Sequence, residues 1–200
     1  MNTTSVRNLV IVLGDQLDAE SSALDGFDPA QDVVWMAEVA EESTHVWSAK
    51  QRTAVFLSAM RHFAHDLRAR GLPQRYTALD DDDNPGTLAG VLQQDIAALQ
   101  PAGLVLTAPG DWRVLHSLRA VATELQLPLD LRDDTHFFST VREFAAHAQG
   151  RKQLRLEYWY RALRQKHGIL MDGKAPVGGQ WNFDADNRES FGKAGPQQVP

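Results

Sequence analysis

Cysteine is absent from this sequence of 200 residues. Its absence excludes a disulfide framework, a thiolate zinc site, an iron–sulfur cluster and a cysteine nucleophile within the chain. Long apolar segments are absent as well. The apolar run near the amino terminus, residues 9–13, is too short for a signal-peptide core or a membrane span. We therefore expect a cytoplasmic protein that has no contact with a membrane.

Cations are in the minority, and the formal net charge is −6. This balance argues against a free-standing nucleic-acid binder, because phosphate contacts need clustered cations. The cations are nevertheless concentrated in residues 151–166, where Glu157 is the only acid. This segment is either a solvated helix face or a surface directed towards DNA or an acidic partner domain. Its cations are Arg151, Lys152, Arg155, Arg161, Arg164 and Lys166.

The chain has the composition of a globular protein, with 43% hydrophobic and 23% charged residues. Short apolar runs alternate with helical patterns, which is typical of βαβ units. The predicted strands are residues 8–13, 33–38, 75–79, 103–107 and 128–131, and the predicted helices are residues 48–70, 87–99 and 111–125. This pattern predicts an α/β, doubly wound, five-stranded and mainly parallel sheet of strand order 3-2-1-4-5, with helices on both faces.

The pattern changes after residue 150, where a carboxyl-terminal helix over residues 153–167 precedes an irregular tail. We expect residues 1–150 to form a Rossmann-like domain and residues 151–188 a helix with a connecting segment. Residues 189–200 are rich in Gly, Pro and Gln, and they are typical of a truncated linker. This organisation indicates that the chain is part of a larger protein.

In the predicted strand order, the direction of winding reverses between the first and fourth strands, and ligands bind at such a reversal. Two loops, residues 14–17 and 109–112, face each other there, flanked by residues 38–44. Neither a G-x-G-x-x-G motif after the first strand nor a G-x-x-x-x-G-K-[ST] motif is present, so a standard phosphate cradle is lacking. The three loops contain mainly acids and amides instead, namely Asp15, Gln16, Glu38, Glu41, Glu42 and Asp111.

Such a crevice favours a ligand rich in hydroxyl and N–H groups, because ionised carboxylates only accept hydrogen bonds. Trp112 is suited to stack on a flat ring. Simpler roles exist for the same residues: Asp15 and Asp111 can cap helices, and Trp112 can pack in the core. We expect no catalytic residue and no metal ligand in this chain. His62 and His65 lack a third ligand, and Asp80–Asp83 lack the pattern of a calcium loop.

Several ordered motifs between residues 8 and 188 together show a resemblance to a known family. They include Leu13-Gly-Asp-Gln-Leu17, Ala37-Glu-Val39, Phe56-Leu-Ser-Ala-Met-Arg-His-Phe-Ala64, Pro109-Gly-Asp-Trp-Arg113 and Gly178-Gly-Gln-Trp-Asn-Phe-Asp184. The sequence resembles the deoxyribodipyrimidine photolyase-related proteins, which comprise bacterial (6-4) photolyases and iron–sulfur cryptochromes. It departs from the family pattern at residues 47–52, and at Asp111, where the family usually has Glu.

The resemblance implies an N-terminal α/β domain that binds a light-harvesting antenna, which in several members is 6,7-dimethyl-8-ribityllumazine. It also implies a larger helical C-terminal domain that holds FAD and a [4Fe–4S] cluster and binds damaged DNA. That FAD domain would be this chain's partner, and damaged DNA would be bound through the parent protein. On this basis the chain is a chromophore-binding module that is not catalytically complete alone. Its implied chromophore-binding residues are Gly14, Asp15, Gln16, Glu38, Glu42, Gly110 and Trp112.

Two other functions remain open from the sequence. The chain could be a stand-alone α/β enzyme acting on a nucleotide or a sugar, or a structural remnant without pigment. The departures at residues 47–52 favour the remnant, whereas the missing phosphate motifs count against the enzyme. We further expect an exposed apolar patch near Trp159, Trp181 and Phe183, where a partner domain would pack.

Overall fold

The computed structural model describes residues 6–184, Lys193 and Gly195. The chain divides into two compact units, residues 1–137 and residues 138–200. Apart from Lys193 and Gly195, the expected linker over residues 189–200 lies outside the described residues. Among the residues that are described, no helix combines the length and the apolar character needed to cross a membrane.

The first unit is built on one five-stranded sheet in which all neighbouring strands are parallel. Its strands are β1 (Asn8–Ile11), β2 (Asp32–Ala37), β3 (Gln74–Thr77), β4 (Gly103–Thr107) and β5 (Leu129–Arg132). The spatial order is β3-β2-β1-β4-β5, which confirms the predicted fold. The central strand β1 therefore pairs with both β2 and β4, and the winding reverses between β1 and β4.

Helices cover the two faces of this sheet because successive strand residues point to opposite sides. They are α1 (Ala40–Thr44), α2 (Lys50–Ala69), α3 (Leu88–Leu99) and α4 (Trp112–Glu124). On one face Leu9 and Leu106 pack with residues of α3 and α4, such as Leu118. On the other face Val34 packs with Met60 of α2. Each fully buried side chain of this size contributes about 1.5–3 kcal/mol through loss of apolar surface from water.

Local signals set the starts of the two helices that flank the reversal. The Thr87 side chain accepts a hydrogen bond from the Gly90 amide at the start of α3. At the start of α4 the Asp111 carboxylate accepts one from the Arg113 amide at 2.7 Å. These side chains satisfy N–H groups that have no partner within the helix. The capping role considered for Asp111 from the sequence is therefore confirmed.

A buried carboxylate joins α3 to the sheet. The side chain of Asp95 is 2% exposed. It accepts hydrogen bonds from Trp35 Nε1 of β2 at 2.8 Å and from Arg75 Nε of β3 at 2.6 Å. Trp35 is itself completely buried, so its N–H has no access to water. The carboxylate is thus the group that satisfies a buried donor.

The second unit contains α5 (Val141–Ala148), α6 (Leu156–His167) and a short hairpin of β6 (Met171–Asp172) with β7 (Ala175–Pro176). The helix predicted over residues 153–167 thus begins three residues later than expected. Trp181 lies against two cations, with the guanidinium carbons of Arg161 and Arg164 at 5.3 and 5.1 Å from its ring centroid. Of the expected apolar patch, Phe183 is 61% exposed, whereas Trp159 and Trp181 are partly buried.

We predict that Asp95→Ala lowers the free energy of unfolding by about 2–4 kcal/mol, because the Trp35 N–H would be left buried without a partner. Asp82→Ala is the matched control, since Asp82 is exposed on the loop after β3 and should change stability by under about 0.5 kcal/mol. Urea denaturation of both variants measures the difference. Equal stability of the two variants would refute the role of Asp95.

Candidate functional site

A cavity of about 230 Å³ opens at the carboxyl ends of β1, β2 and β4. This is the reversal point at which the sequence analysis placed the ligand site. Most of its wall is apolar, formed by residues of α2, α3, α4 and the loops that follow the strands. The apolar residues include Val39, Phe56, Leu57, Met60, Leu88 and Val114, and the polar ones include Asp15, Glu42, Ser43, Ser48, Arg52, Thr53 and Asp111.

Gly14 shapes this cavity by allowing a close approach of two elements. A Cβ atom at this position would lie 2.6 Å from Cε1 of Phe56 and 2.7 Å from Sδ of Met60. Such distances are shorter than van der Waals contact, so a larger residue would fit only if the Phe56 and Met60 side chains or the loop after β1 moved. The next residue, Asp15, is exposed and lines the cavity.

Gln16 connects two strand ends and does not line the cavity. Its Nε2 donates hydrogen bonds to the carbonyl oxygens of Thr107 and Ala108, at 3.3 and 3.1 Å. It lies in an adjoining depression, which also includes Gly14, Asp15 and Ser21. The contacts of Gln16 hold the loop after β1 against the end of β4, and thereby brace one side of the site.

Glu38 lies at the cavity, but its carboxylate is fully engaged by the protein. The side chain has no exposed surface. It accepts hydrogen bonds from Arg61 Nε and Nη2, both at 2.7 Å, from Tyr76 Oη at 2.5 Å and from the Leu79 amide at 2.9 Å. Four donors occupy the acceptor positions that a ligand would need. The residue therefore joins β2 to α2 and to the end of β3.

These contacts also decide the protonation of the cluster. Burial raises the pKa of Glu38, but the hydrogen bonds from Arg61, Tyr76 and Leu79 outweigh it and bring the pKa below its ordinary value. Burial and the neighbouring carboxylate together raise the pKa of Tyr76. Glu38 is thus ionised and Tyr76 is a neutral donor throughout the physiological range.

Arg113 forms ion pairs with acidic residues from two facing segments. Its Nη2 lies 2.8 and 2.9 Å from the two carboxylate oxygens of Glu42. Asp111 is 3.4 Å from the same nitrogen, and Glu41 is 3.7 Å from Nη1. Sequence reasoning treated this crevice as poor in cations, although Arg113 was visible in the Pro-Gly-Asp-Trp-Arg motif. The single charge of Arg113 offsets one of these three negative charges, and its ion pairs tie α1 to the start of α4.

Gly110 and Trp112 are exposed, and Trp112 has 72% of its surface accessible. Within the described residues, the neighbouring Pro109 and Asp111 line the cavity, whereas Gly110 and Trp112 do not. Trp112 is therefore at the rim of the site. Trp47, in the segment that departs from the family pattern, is 98% exposed, although Val46 before it and Ser48 after it line the cavity.

The cavity contains one polar atom that the protein does not satisfy. Ser48 Oγ is shielded from solvent and has no hydrogen-bond partner within the described part of the chain. A buried hydroxyl without a partner is unfavourable, and a bound ligand would remove that cost. Within the same residues, no group of three or more His, Asp or Glu side chains is arranged to hold a metal ion.

The chain is similar to a known protein family and to a curated relative. The family model of the deoxyribodipyrimidine photo-lyase-related proteins matches residues 10–200. This chain belongs to that family. A "(6-4) photolyase" of Agrobacterium fabrum is 45% identical over 181 residues, which cover 90% of this chain. The match lies in the N-terminal part of that protein and spans 36% of its length, so the chain corresponds to about a third of the curated relative.

We predict that Arg61→Gln destabilises the protein at pH 7 by about 3 kcal/mol, because the Glu38 carboxylate would stay buried without its charged partner. Glu38 has a lowered pKa in the folded state, so its contribution is fully present above its unfolded pKa, about 4.3. That contribution is lost as the pH falls through the lower, folded pKa. The difference in the free energy of unfolding between wild type and Arg61→Gln should therefore become smaller as the pH is lowered towards 4 and below.

Urea denaturation at a series of pH values from 7 down to about 3 measures this difference in the free energy of unfolding. Arg68→Gln is the control, because Arg68 is exposed on the same helix and makes only a 3.5 Å contact with Gln74. An Arg61→Gln effect that is as small as that of Arg68→Gln, or that does not change with pH, would contradict the assigned role of the Glu38 cluster.

Proposed function

We propose that the first unit is the antenna-binding module of a light-driven flavoprotein, and that its pigment is 6,7-dimethyl-8-ribityllumazine. One observation carries the proposal: an apolar-walled cavity lies at the reversal point of the sheet, with carboxylates at its edge and no phosphate-binding motif. A ribityllumazine has a flat heteroaromatic ring and a polyhydroxyl chain, and it has no phosphate.

The residues present fit such a molecule. Phe56, Met60 and Val39 supply apolar contact area for a planar ring, which is the usual composition of small-molecule sites. Asp15 and Glu42 supply carboxylate oxygens that accept hydrogen bonds from ribityl hydroxyls. At about 230 Å³, the cavity is below the usual range of about 300–1,000 Å³ for drug-sized ligands. This size supports enclosure of the ring rather than of the whole molecule.

The ion pairs of the site support a ligand without phosphate. Arg61 is engaged by Glu38, and Arg113 by Glu42, Glu41 and Asp111. Two guanidinium groups near the cavity are therefore neutralised by the protein itself. This arrangement counts against the alternative of a stand-alone enzyme acting on nucleotides.

When bound, the pigment would absorb blue light and pass the excitation to a flavin. The residues of this chain would bind the ring, orient it through fixed hydrogen-bond acceptors and shield it from water. In this proposal no bond is formed or broken in the first unit. Gly14 and Gln16 act indirectly, since one permits and the other braces the loop that carries Asp15.

The remainder of the proposal concerns the parent protein. We infer from the similarity to a "(6-4) photolyase" that a helical C-terminal domain holds FAD and a [4Fe–4S] cluster, binds damaged DNA, and repairs it by light-driven electron transfer. The cluster's thiolate ligands would have to come from that domain, because these 200 residues contain no cysteine. The exposed cations Arg151, Lys152 and Arg155 supply a surface for a phosphate backbone or for the acidic face of that domain.

We predict that the purified chain binds 6,7-dimethyl-8-ribityllumazine saturably, with a change in ligand fluorescence and a higher melting temperature. Asp15→Asn and Glu42→Gln should each weaken the Kd by about tenfold or more, the value of a hydrogen bond to a charged acceptor, about 1.5–3 kcal/mol. Asp82→Asn and Glu124→Gln, which make the same chemical changes outside the cavity, serve as controls and should leave the Kd unchanged.

Other results would identify the alternatives. A complete lack of saturable binding at high ligand excess refutes the antenna assignment and favours a structural remnant. Stabilisation by a nucleotide that depends on its phosphate favours the stand-alone enzyme. Equal weakening by the cavity variants and by their controls would refute the placement of the ligand at Asp15 and Glu42.

A further inference from the structure

We propose that Arg52 and Ser48, at the start of α2, bind the carbonyl edge of the pigment's ring and favour its deprotonated form. This inference rests on the proposed function, and it assigns an orientation to the ligand. A ribityllumazine has two chemically different ends. The pteridine ring presents two carbonyl oxygens on either side of one N–H, whereas the ribityl arm presents hydroxyl groups.

Arg52 is distinguished from the other cations near the cavity by its lack of a partner. The guanidinium groups of Arg61 and Arg113 are engaged by carboxylates at 2.7 and 2.8 Å. Arg52 lines the cavity and makes no hydrogen bond or ion pair within the residues that the structure describes. Its planar donor fork is therefore available to a pair of ligand oxygens.

Ser48 provides a second, independent observation in the same segment. Its Oγ is shielded from solvent, lines the cavity and has no partner among the described residues. The hydroxyl could donate to a carbonyl oxygen and so satisfy both groups. Two residues later α2 begins, and the residue at its cap, Ala49, offers no side-chain hydrogen bond. The uncapped start of a twenty-residue helix adds a weak preference for negative charge nearby.

The hydrogen-bond donors and acceptors of the cavity thus come from different segments of the chain. The segment of residues 48–53 supplies the unengaged donors, from Ser48 and Arg52. The loops that follow β1, β2 and β4 supply the acceptors, from Asp15, Glu42 and Asp111. A ligand with a carbonyl edge and a hydroxyl-rich arm satisfies both sets in one orientation, with the carbonyl edge at α2.

The same charges act on the ring's own acidity. Loss of a proton from the ring delocalises negative charge onto its carbonyl oxygens, so a neighbouring guanidinium favours the deprotonated form. The carboxylates of Asp15, Glu38, Glu42 and Asp111 act in the opposite direction. Arg61 and Arg113 offset part of this negative charge through their ion pairs with Glu38, Glu42 and Asp111, and the unpaired charge of Arg52 adds a favourable influence.

The test is an absorbance titration of the bound pigment with pH, because the neutral and deprotonated rings absorb differently. The full 200-residue chain is saturated with 6,7-dimethyl-8-ribityllumazine and titrated as wild type and as variants. Arg52→Gln should raise the midpoint of ring deprotonation by roughly half a unit or more and weaken the Kd about tenfold. Arg52→Lys should show a smaller shift of the midpoint than Arg52→Gln, because it keeps the positive charge. Ser48→Ala should weaken the Kd by about threefold.

Lys50→Gln is the matched control, because it removes one cation from the same turn at an exposed position outside the cavity lining. It should change neither the midpoint nor the Kd. If wild type binds the pigment and Arg52→Gln behaves like Lys50→Gln, the inference is overturned while the proposed function stands. If wild type does not bind, both fail.

A third comparison separates a carbonyl edge from a phosphate as the partner of Arg52. Riboflavin and its 5′-phosphate differ only in the phosphate group. If the phosphorylated form binds more tightly to wild type and this advantage is lost in Arg52→Gln, Arg52 binds phosphate and the assigned orientation is wrong. Equal loss of affinity for both forms in Arg52→Gln supports the carbonyl edge.

Discussion

The buried carboxylate of Glu38 is the interaction on which the candidate site depends. It stands at the end of β2, where the polypeptide leaves the sheet, and accepts four hydrogen bonds from three other residues. Arg61 holds α2 in place, Tyr76 and Leu79 hold the end of β3, and the Asn84 side chain donates to the Glu38 carbonyl at 2.8 Å. An ionised carboxylate without exposed surface is tolerated only when its acceptors are satisfied in this way.

The position of α2 determines the shape of the cavity. Its Phe56 and Met60 form part of the apolar wall, and both press against Gly14 of the loop after β1. Its first turn brings Arg52 to the cavity. The Glu38–Arg61 pair therefore also affects the site, because it fixes the position of α2. That helix carries both the apolar residues of the cavity wall and the unpaired Arg52. A second ion pair, Glu42–Arg113, joins α1, which follows β2, to the start of α4.

Membership of the deoxyribodipyrimidine photo-lyase-related family gives these features a common purpose in our proposal. A light-harvesting module needs rigidity and exclusion of water more than reactive groups. The first unit supplies this through internally neutralised ion pairs, a glycine that allows close packing, and a glutamine that braces two strand ends. The acidic residues that are not neutralised within the protein, such as Asp15, remain to contact a ligand.

The sequence by itself determined the architecture. The apolar run at residues 103–107 was predicted as a strand and is observed as Gly103–Thr107, because a short apolar run between helical patterns is typical of a buried strand. The strand order, the location of the reversal and the ordered family motifs were likewise available from local pattern. The short helix α1, Ala40–Thr44, was missed, since five residues are too few to show a helical period.

The tertiary structure alone decided which charges are free. Glu38 was expected to meet a ligand, yet Arg61, 23 residues away in sequence, occupies its carboxylate. Glu42 meets Arg113 across 71 residues, and no local pattern specifies that pairing. Electrostatic pairing acts through space at distances of a few ångströms. The residues that remain unpaired, and with them the chemistry of the site, are therefore defined only when the chain has folded.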